Sequence, residues 1–276
     1  MKVWLVSFLI VTLIISGCAS SGKKASEPEL DSSLADEVSV GEKIHAEILN
    51  SFYVYTDPGV VSYVKDINRE LTSHAERQDL PYQVTVLYND KIYATSAPGG
   101  YIYITTGMMN FLESEAQFAA VLAHEIGQLQ YRDPRLSQFR KMLGTITQTG
   151  ATIGPAFGQL GALAVLGLVM VNALVDTKEK TPQERVQKSD QLALEYLLSA
   201  GYDPQGMADV LLKFLTADVS VIPYFYEYYQ ARPVSQERLD SLRESFSQLP
   251  LDDKDLTTKP QLYQQMTKGI RQIYQR

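Results

Sequence analysis

Val121-Leu-Ala-His-Glu-Ile-Gly-Gln-Leu-Gln-Tyr-Arg-Asp133 is the stretch whose reading decides the fold. In the H-E-x-x-H pattern, two histidines at i and i+4 project from one face of a helix and hold a zinc ion. The glutamate after the first histidine is the general base for the metal-bound water. His124 and Glu125 fill the first two positions here, and Gln128 stands at the second histidine position. A neutral amide oxygen is a poor zinc ligand beside imidazole or carboxylate. An H-E-x-x-Q match is by itself no more than a His-Glu pair on a helix, so its surroundings must decide.

Working outward, Ser114-x-x-Gln117 has the form of a capping box, and Phe118, Val121, Leu122, Ile126 and Leu129 then recur at helical spacing. The His-Glu pair is therefore expected on a buried or half-buried helix. Before it the period changes to two. Tyr82 to Tyr88 alternates like a strand, and Asn89-Asp90 is turn chemistry. Two further strands, Ile92 to Ala97 and Tyr101 to Thr106, are joined by Pro98-Gly99-Gly100. This reads as a small antiparallel meander leading into the helix, which is the context a zincin motif requires.

Further out, helices are expected over Val40 to Leu49 and Gly59 to Leu71, with Asp57-Pro58 starting the second. His45 and His74 have no partner histidine at i+3 or i+4 and read as surface residues, not ligands. Helices Pro182 to Ala200 and Gln205 to Leu215 flank the stop signal Gly201-Tyr-Asp-Pro204. The aromatic patch Tyr224 to Tyr229 reads as a core or loop anchor, with a peptide groove as the alternative. The tail from Pro260 is expected to be a polar helix with Leu262, Met266, Ile270 and Ile273 on one side. Within the Thr/Gly-rich and apolar segment 143–175, Gly161 to Val175 is 15 residues, short for a bilayer core of about 30 Å. It reads as a buried or membrane-surface helix, with a true span as the alternative.

The 276 residues, 45% hydrophobic and 21% charged, suffice for one large domain with added segments. A net charge of −7 argues against nucleic acid as a partner. Residues 1–17 read as a lipoprotein-type signal peptide, and Ile15-Ser16-Gly17-Cys18 has the form of a lipobox whose cysteine accepts the lipid. Cys18 is the only cysteine, so no internal disulfide is possible. Residues 18–36 are expected to be a flexible tether, 37–245 the folded body and 246–276 a helical tail. The partners are then the membrane, through Cys18, and polypeptide. By resemblance to bacterial lipoproteins, Ala19 after the cysteine favours the outer membrane, facing the periplasm.

The order of elements resembles the membrane-associated zinc metallopeptidases of the HtpX and CAAX prenyl-protease type, in particular their bacterial lipoprotein BepA-like branch. The pieces that carry the resemblance are Asp79-Leu-Pro-Tyr82, Ala97-Pro-Gly-Gly-Tyr-Ile-Tyr-Ile-Thr-Thr-Gly107 and Val121-Leu-Ala-His-Glu-Ile-Gly127. Asp190-x-x-Ala193, Ala200-Gly-Tyr-Asp-Pro204, Pro233 and Glu237-Arg238 extend it. It implies an α+β, zincin-like metallopeptidase fold, mostly helical, with zinc as cofactor, His124 as first ligand and Glu125 as catalytic base. The resemblance also places the second zinc histidine at Gln128 and the third ligand, a glutamate, at Val186. The aspartate that supports the site from the outer shell falls at Asp190, the histidine of a late H-P motif at Arg232, and another histidine often found after the helix at Asp133.

A catalytic zinc needs three protein ligands and an open position for water. The family positions supply one, His124. The leading expectation is a cell-envelope lipoprotein whose degenerate site serves a non-catalytic, polypeptide-binding role in envelope protein quality control, as chaperone or adaptor. The first alternative is an active zinc metalloendopeptidase with a rearranged ligand set, for which Glu184, Glu195 or Asp190 are the candidate carboxylates. The second is a structural lipoprotein docked on a membrane through segment 153–175.

Overall fold

The computed structural model describes residues 32–131, 136, 182–217, 234–251 and 255–275. In chain order the elements are α1 (Ser32–Ser51), α2 (Pro58–Thr72), β1 (Gln83–Leu87), β2 (Ala94–Ala97), a 3-10 turn (Pro98–Gly100), β3 (Tyr101–Thr105), α3 (Thr106–Phe111) and α4 (Glu115–Leu129). After these come α5 (Pro182–Ser199), α6 (Gln205–Thr216), α7 (Gln236–Ser247), α8 (Pro260–Met266) and α9 (Lys268–Tyr274). The fold is α+β and mostly helical, as expected.

The sheet is mixed and not an antiparallel meander. Its order is β1-β3-β2; β3 pairs in parallel with β1, with Gln83 opposite Tyr101, and antiparallel with β2, with Ala97 opposite Tyr101. The 3-10 turn makes β2 and β3 a hairpin. The connection 88–93 instead carries the chain past one strand position, so β3 enters between its two predecessors. All five β3 residues are buried. A Cβ at Gly41 of α1 would run into the carbonyl oxygen of Pro98, so glycine lets α1 close on the turn. His45 of α1 stacks on Tyr101 at 4.7 Å between ring centroids, with Nδ1 2.9 Å from the Tyr103 hydroxyl. It is therefore half-buried in an aromatic contact and not a surface residue; His74 is exposed. Side-chain alternation puts Ile102 and Ile104, with Val84 and Val86 across the register, on the other face, where α2 and α4 lie.

Helix α1 begins at Ser32 with Leu34 buried, ahead of the boundary expected at Glu37. At the other end, α7 runs past residue 245 to Ser247. The tail beyond it belongs to the core: Tyr263 is fully buried, donates its hydroxyl to the Met109 carbonyl at 2.6 Å and meets Phe118 at 5.8 Å. Its inward residues are Tyr263, Thr267 and Ile270, while Leu262, expected on the apolar side, is 40% exposed. Tyrosine can turn inward because its hydroxyl finds an acceptor. No helix among the described residues is long and apolar enough to cross a membrane. Cys18, segment 143–175 and the aromatic patch 224–229 lie outside the described residues.

Candidate active site

Helix α4 starts as its capping signal predicts. Ser114 Oγ accepts from the Gln117 amide at 3.2 Å, and the Gln117 side chain accepts in return from the Glu113 amide at 2.8 Å. Every residue of α4 is buried except Gln128. Helix α5 lies directly against it. A Cβ on Gly127 would come within 2.7 Å of the Ser189 carbonyl oxygen, so glycine permits the close approach that brings Asp190 to His124.

His124 Nδ1 lies 2.7 Å from Asp190 Oδ1. Asp190 is gripped from the far side by Arg238 of α7, whose Nε donates to Oδ2 at 2.7 Å and whose second guanidinium nitrogen donates to Oδ1 at 2.9 Å. On the near side of the ring, Gln128 Nε2 lies 3.3 Å from His124 Nε2. Four side chains from three helices thus form a line, Gln128–His124–Asp190–Arg238. Arg238 was in sight only as part of the Glu237-Arg238 resemblance, with no role attached. It lies 48 residues from Asp190, a separation no local spacing rule covers.

The charges follow from this line. Burial raises the Asp190 carboxyl, but Arg238 and the His124 hydrogen bond outweigh it and hold the group down at about 2. Burial pushes the His124 imidazole below its ordinary value, although Asp190 draws it upward. A neutral ring donating from Nδ1 to the carboxylate leaves Nε2 as an acceptor, which a Gln128 N–H can satisfy. The outward lone pair of His124, the atom a metal would use, is therefore met by an amide one helical turn away. Glu125 is fully buried beside it.

The sequence-derived ligand positions can now be placed. Val186 is buried on α5, one turn before Asp190. Glu184 and Glu195, considered as replacement carboxylates, are exposed, and Asp190 is bound to Arg238 on the Nδ1 side of the imidazole. Among the described residues no three His, Cys, Asp or Glu side chains form a metal-binding group. Zinc binding calls for three such donors around an open position, and one imidazole with an amide and a valine does not fit that demand. Arg232 and Asp133 lie outside the described residues.

A His-Glu pair on a buried helix, set beside a small sheet and backed by an aspartate from a second helix packed against it, defines a metallopeptidase-type domain. Residues 60–245 match the model of peptidase family M48, and the chain belongs to that family. It is similar to the Beta-barrel assembly-enhancing protease of Escherichia coli K12, 25% identical over 262 residues, which are 89% of this chain and 52% of that protein. The corresponding protein of Yersinia pestis is 22% identical over 272 residues, covering 89% and 54%. Mitochondrial metalloendopeptidase OMA1 of Arabidopsis thaliana is 28% identical over 139 residues, 49% of this chain and 25% of the other. The chain spans about half the length of the Beta-barrel assembly-enhancing proteases it matches. Enzymes of this family use zinc.

Proposed function

We propose that this chain is a non-catalytic, polypeptide-binding member of family M48 that serves protein quality control in the bacterial cell envelope as a chaperone or adaptor. The observation that carries the reading is the Gln128–His124 contact at 3.3 Å; it is supported by Val186, which stands where the family resemblance puts the third ligand. Without a metal to acidify it, a water near Glu125 stays un-ionised at neutral pH, and peptide hydrolysis has no adequate nucleophile. The binding half rests on architecture: among the described residues β2 pairs only with β3, and it lies against α4, so an extended chain is received there by strand addition. The envelope setting rests on the likeness to proteins named for assembling β-barrels, and on the lipobox that ends at Cys18, which would hold the chain to the outer membrane by lipid.

The test places a photo-crosslinking residue at position 128, the half-buried member of the site, in the full chain inside bacterial cells. Recovery of envelope polypeptides bound at that position supports the proposal; recovery of none overturns it. Chelator-sensitive cleavage of an unfolded, alkylated model protein by the purified chain would overturn the non-catalytic part in favour of a rearranged zinc site. Incorporation of labelled palmitate that is lost in Cys18→Ser supports the anchor, and equal labelling of both forms, or of neither, removes it.

A further inference from the structure

The sheet has a second edge. β2 borders α4, whereas β1 borders α2 on the opposite side of β3, away from His124. The C-terminal half of β1 is already covered: Tyr55 donates its N–H to the Val86 carbonyl at 2.8 Å, and Tyr88 donates to the Tyr53 carbonyl at 2.7 Å. Even-numbered residues of β1 therefore aim their backbone groups away from β3. The chain then leaves that edge at Asp57-Pro58 to start α2. Val84 lies two residues before Val86, so strand alternation aims its N–H and C=O the same way, away from β3 and short of the stretch that Tyr53 and Tyr55 cover.

A cleft of about 740 Å³ lies between this uncovered half-edge and α2. One wall is Lys65, Asn68, Arg69 and Thr72 of α2, and Leu80 and Val84 belong to the other. Asn68 is only 5% exposed, and its Oδ1 has no hydrogen-bond partner among the described residues, a cost that an N–H brought in by a ligand would remove. The lining holds two cations and no carboxylate, on a chain of net charge −7; Asp66 steadies Arg69 at 2.7 Å from outside the lining.

We propose that this cleft docks an extended, acidic polypeptide segment as an added strand on β1. A backbone donor and acceptor would pair with Val84, alternate side chains would face α2, and carboxylates there would meet Lys65 and Arg69. This site is independent of the groove beside α4 and does not depend on the state of the His124 site.

The test uses the full chain in detergent micelles and a fluorescein-labelled nonapeptide of alternating valine and glutamate, read by anisotropy. Saturable binding is expected, at least ten-fold weaker for the lysine counterpart of the peptide and at least ten-fold weaker for K65E/R69E, whose changes sit at the cleft wall and leave the core intact. Val84→Pro removes the outward N–H without touching the ladder to β3, and in a folded sample it should weaken binding as much. Absence of saturable binding, or binding unchanged in K65E/R69E, overturns the proposal. Binding that is lost in Gln128→Trp alone would place the peptide beside α4 and overturn it equally. So would concentration-dependent dimerisation that Val84→Pro abolishes in a chain that binds no peptide, since the occupant would then be a second copy.

Discussion

Gln128 Nε2 lies 3.3 Å from His124 Nε2, so the ring nitrogen that points away from Asp190 faces an amide carried on the same helix. Because residues at i and i+4 share a helix face, this contact needs no long-range folding to form, only a half-buried amide beside a buried imidazole.

Zinc content reads this contact directly. The chain purified without chelator should carry well under one zinc per molecule by elemental mass spectrometry. Q128H/V186E returns an imidazole and a carboxylate to the family positions and should carry about one. Without metal the new carboxylate at position 186 is buried, so the double variant should melt below the parent and rise sharply on adding zinc. A parent with one tightly held zinc would overturn the proposed function.

Asp190 sits between a buried imidazole and a buried guanidinium. Asp190→Ala should cost about 3–5 kcal/mol in urea unfolding, because it leaves the Arg238 charge buried without its carboxylate. Arg238→Met should cost a comparable amount by stranding Asp190. The two losses should not add in the double variant, since each removes the same pair.

The same pair sets a pH dependence. The Asp190 carboxyl is held at about 2 in the folded chain against 3.8 ordinarily, so the unfolded chain binds the proton first as pH falls. Its contribution is complete above the unfolded value and is lost through the interval from about 4 to 2. His124 is depressed from 6.5, so it acts in the same direction and begins to erode stability as pH falls below that value. The urea midpoint should therefore fall from pH 7 to pH 3, and more steeply than in Asp190→Asn. Parallel profiles for the two forms would refute the assignment.

Gly127 is a point of close approach between α4 and α5. Gly127→Ala sets a Cβ 2.7 Å from the Ser189 carbonyl, a backbone atom that cannot swing aside, and should cost about 1–3 kcal/mol. The accompanying shift of α5 should lengthen the His124–Asp190 contact, visible as a moved imidazole resonance. An unchanged melting temperature would mean that the helices separate freely.

Glu115 gathers three partners at the start of α4. Tyr63 donates at 2.6 Å, Tyr202 at 3.1 Å and Lys259 at 2.8 Å. Glu115→Ala should lose about 2–4 kcal/mol by stranding two tyrosine hydroxyls. Lys259→Ala should lose less than about 1 kcal/mol, because the lysine is 43% exposed. Equal losses would show that the ion pair, and not the hydroxyls, dominates.

Much of this was legible along the chain because it depends on neighbours in sequence. The capping box at Ser114, the Asp57-Pro58 start, the stop at Gly201 and the helical face that carries His124, Glu125 and Gln128 are all set within a few residues of each other. Residue type at single positions, such as Gln128 and Val186, is likewise read straight from the chain. The strand periods were legible too, but not their pairing. Alternation is the same for parallel and antiparallel neighbours, and only the route of the 88–93 connection put β3 in the middle. Arg238 bonds Asp190 across 48 residues, His45 turns inward onto the tyrosines of a distant strand, and the tail buries Tyr263 against α4 where its own period pointed to Leu262. Those choices come from the packing of whole elements, where a polar atom is buried only if a remote chain segment supplies its partner. Local spacing settled which side chains share a helix face, and the tertiary structure alone decided what each face meets.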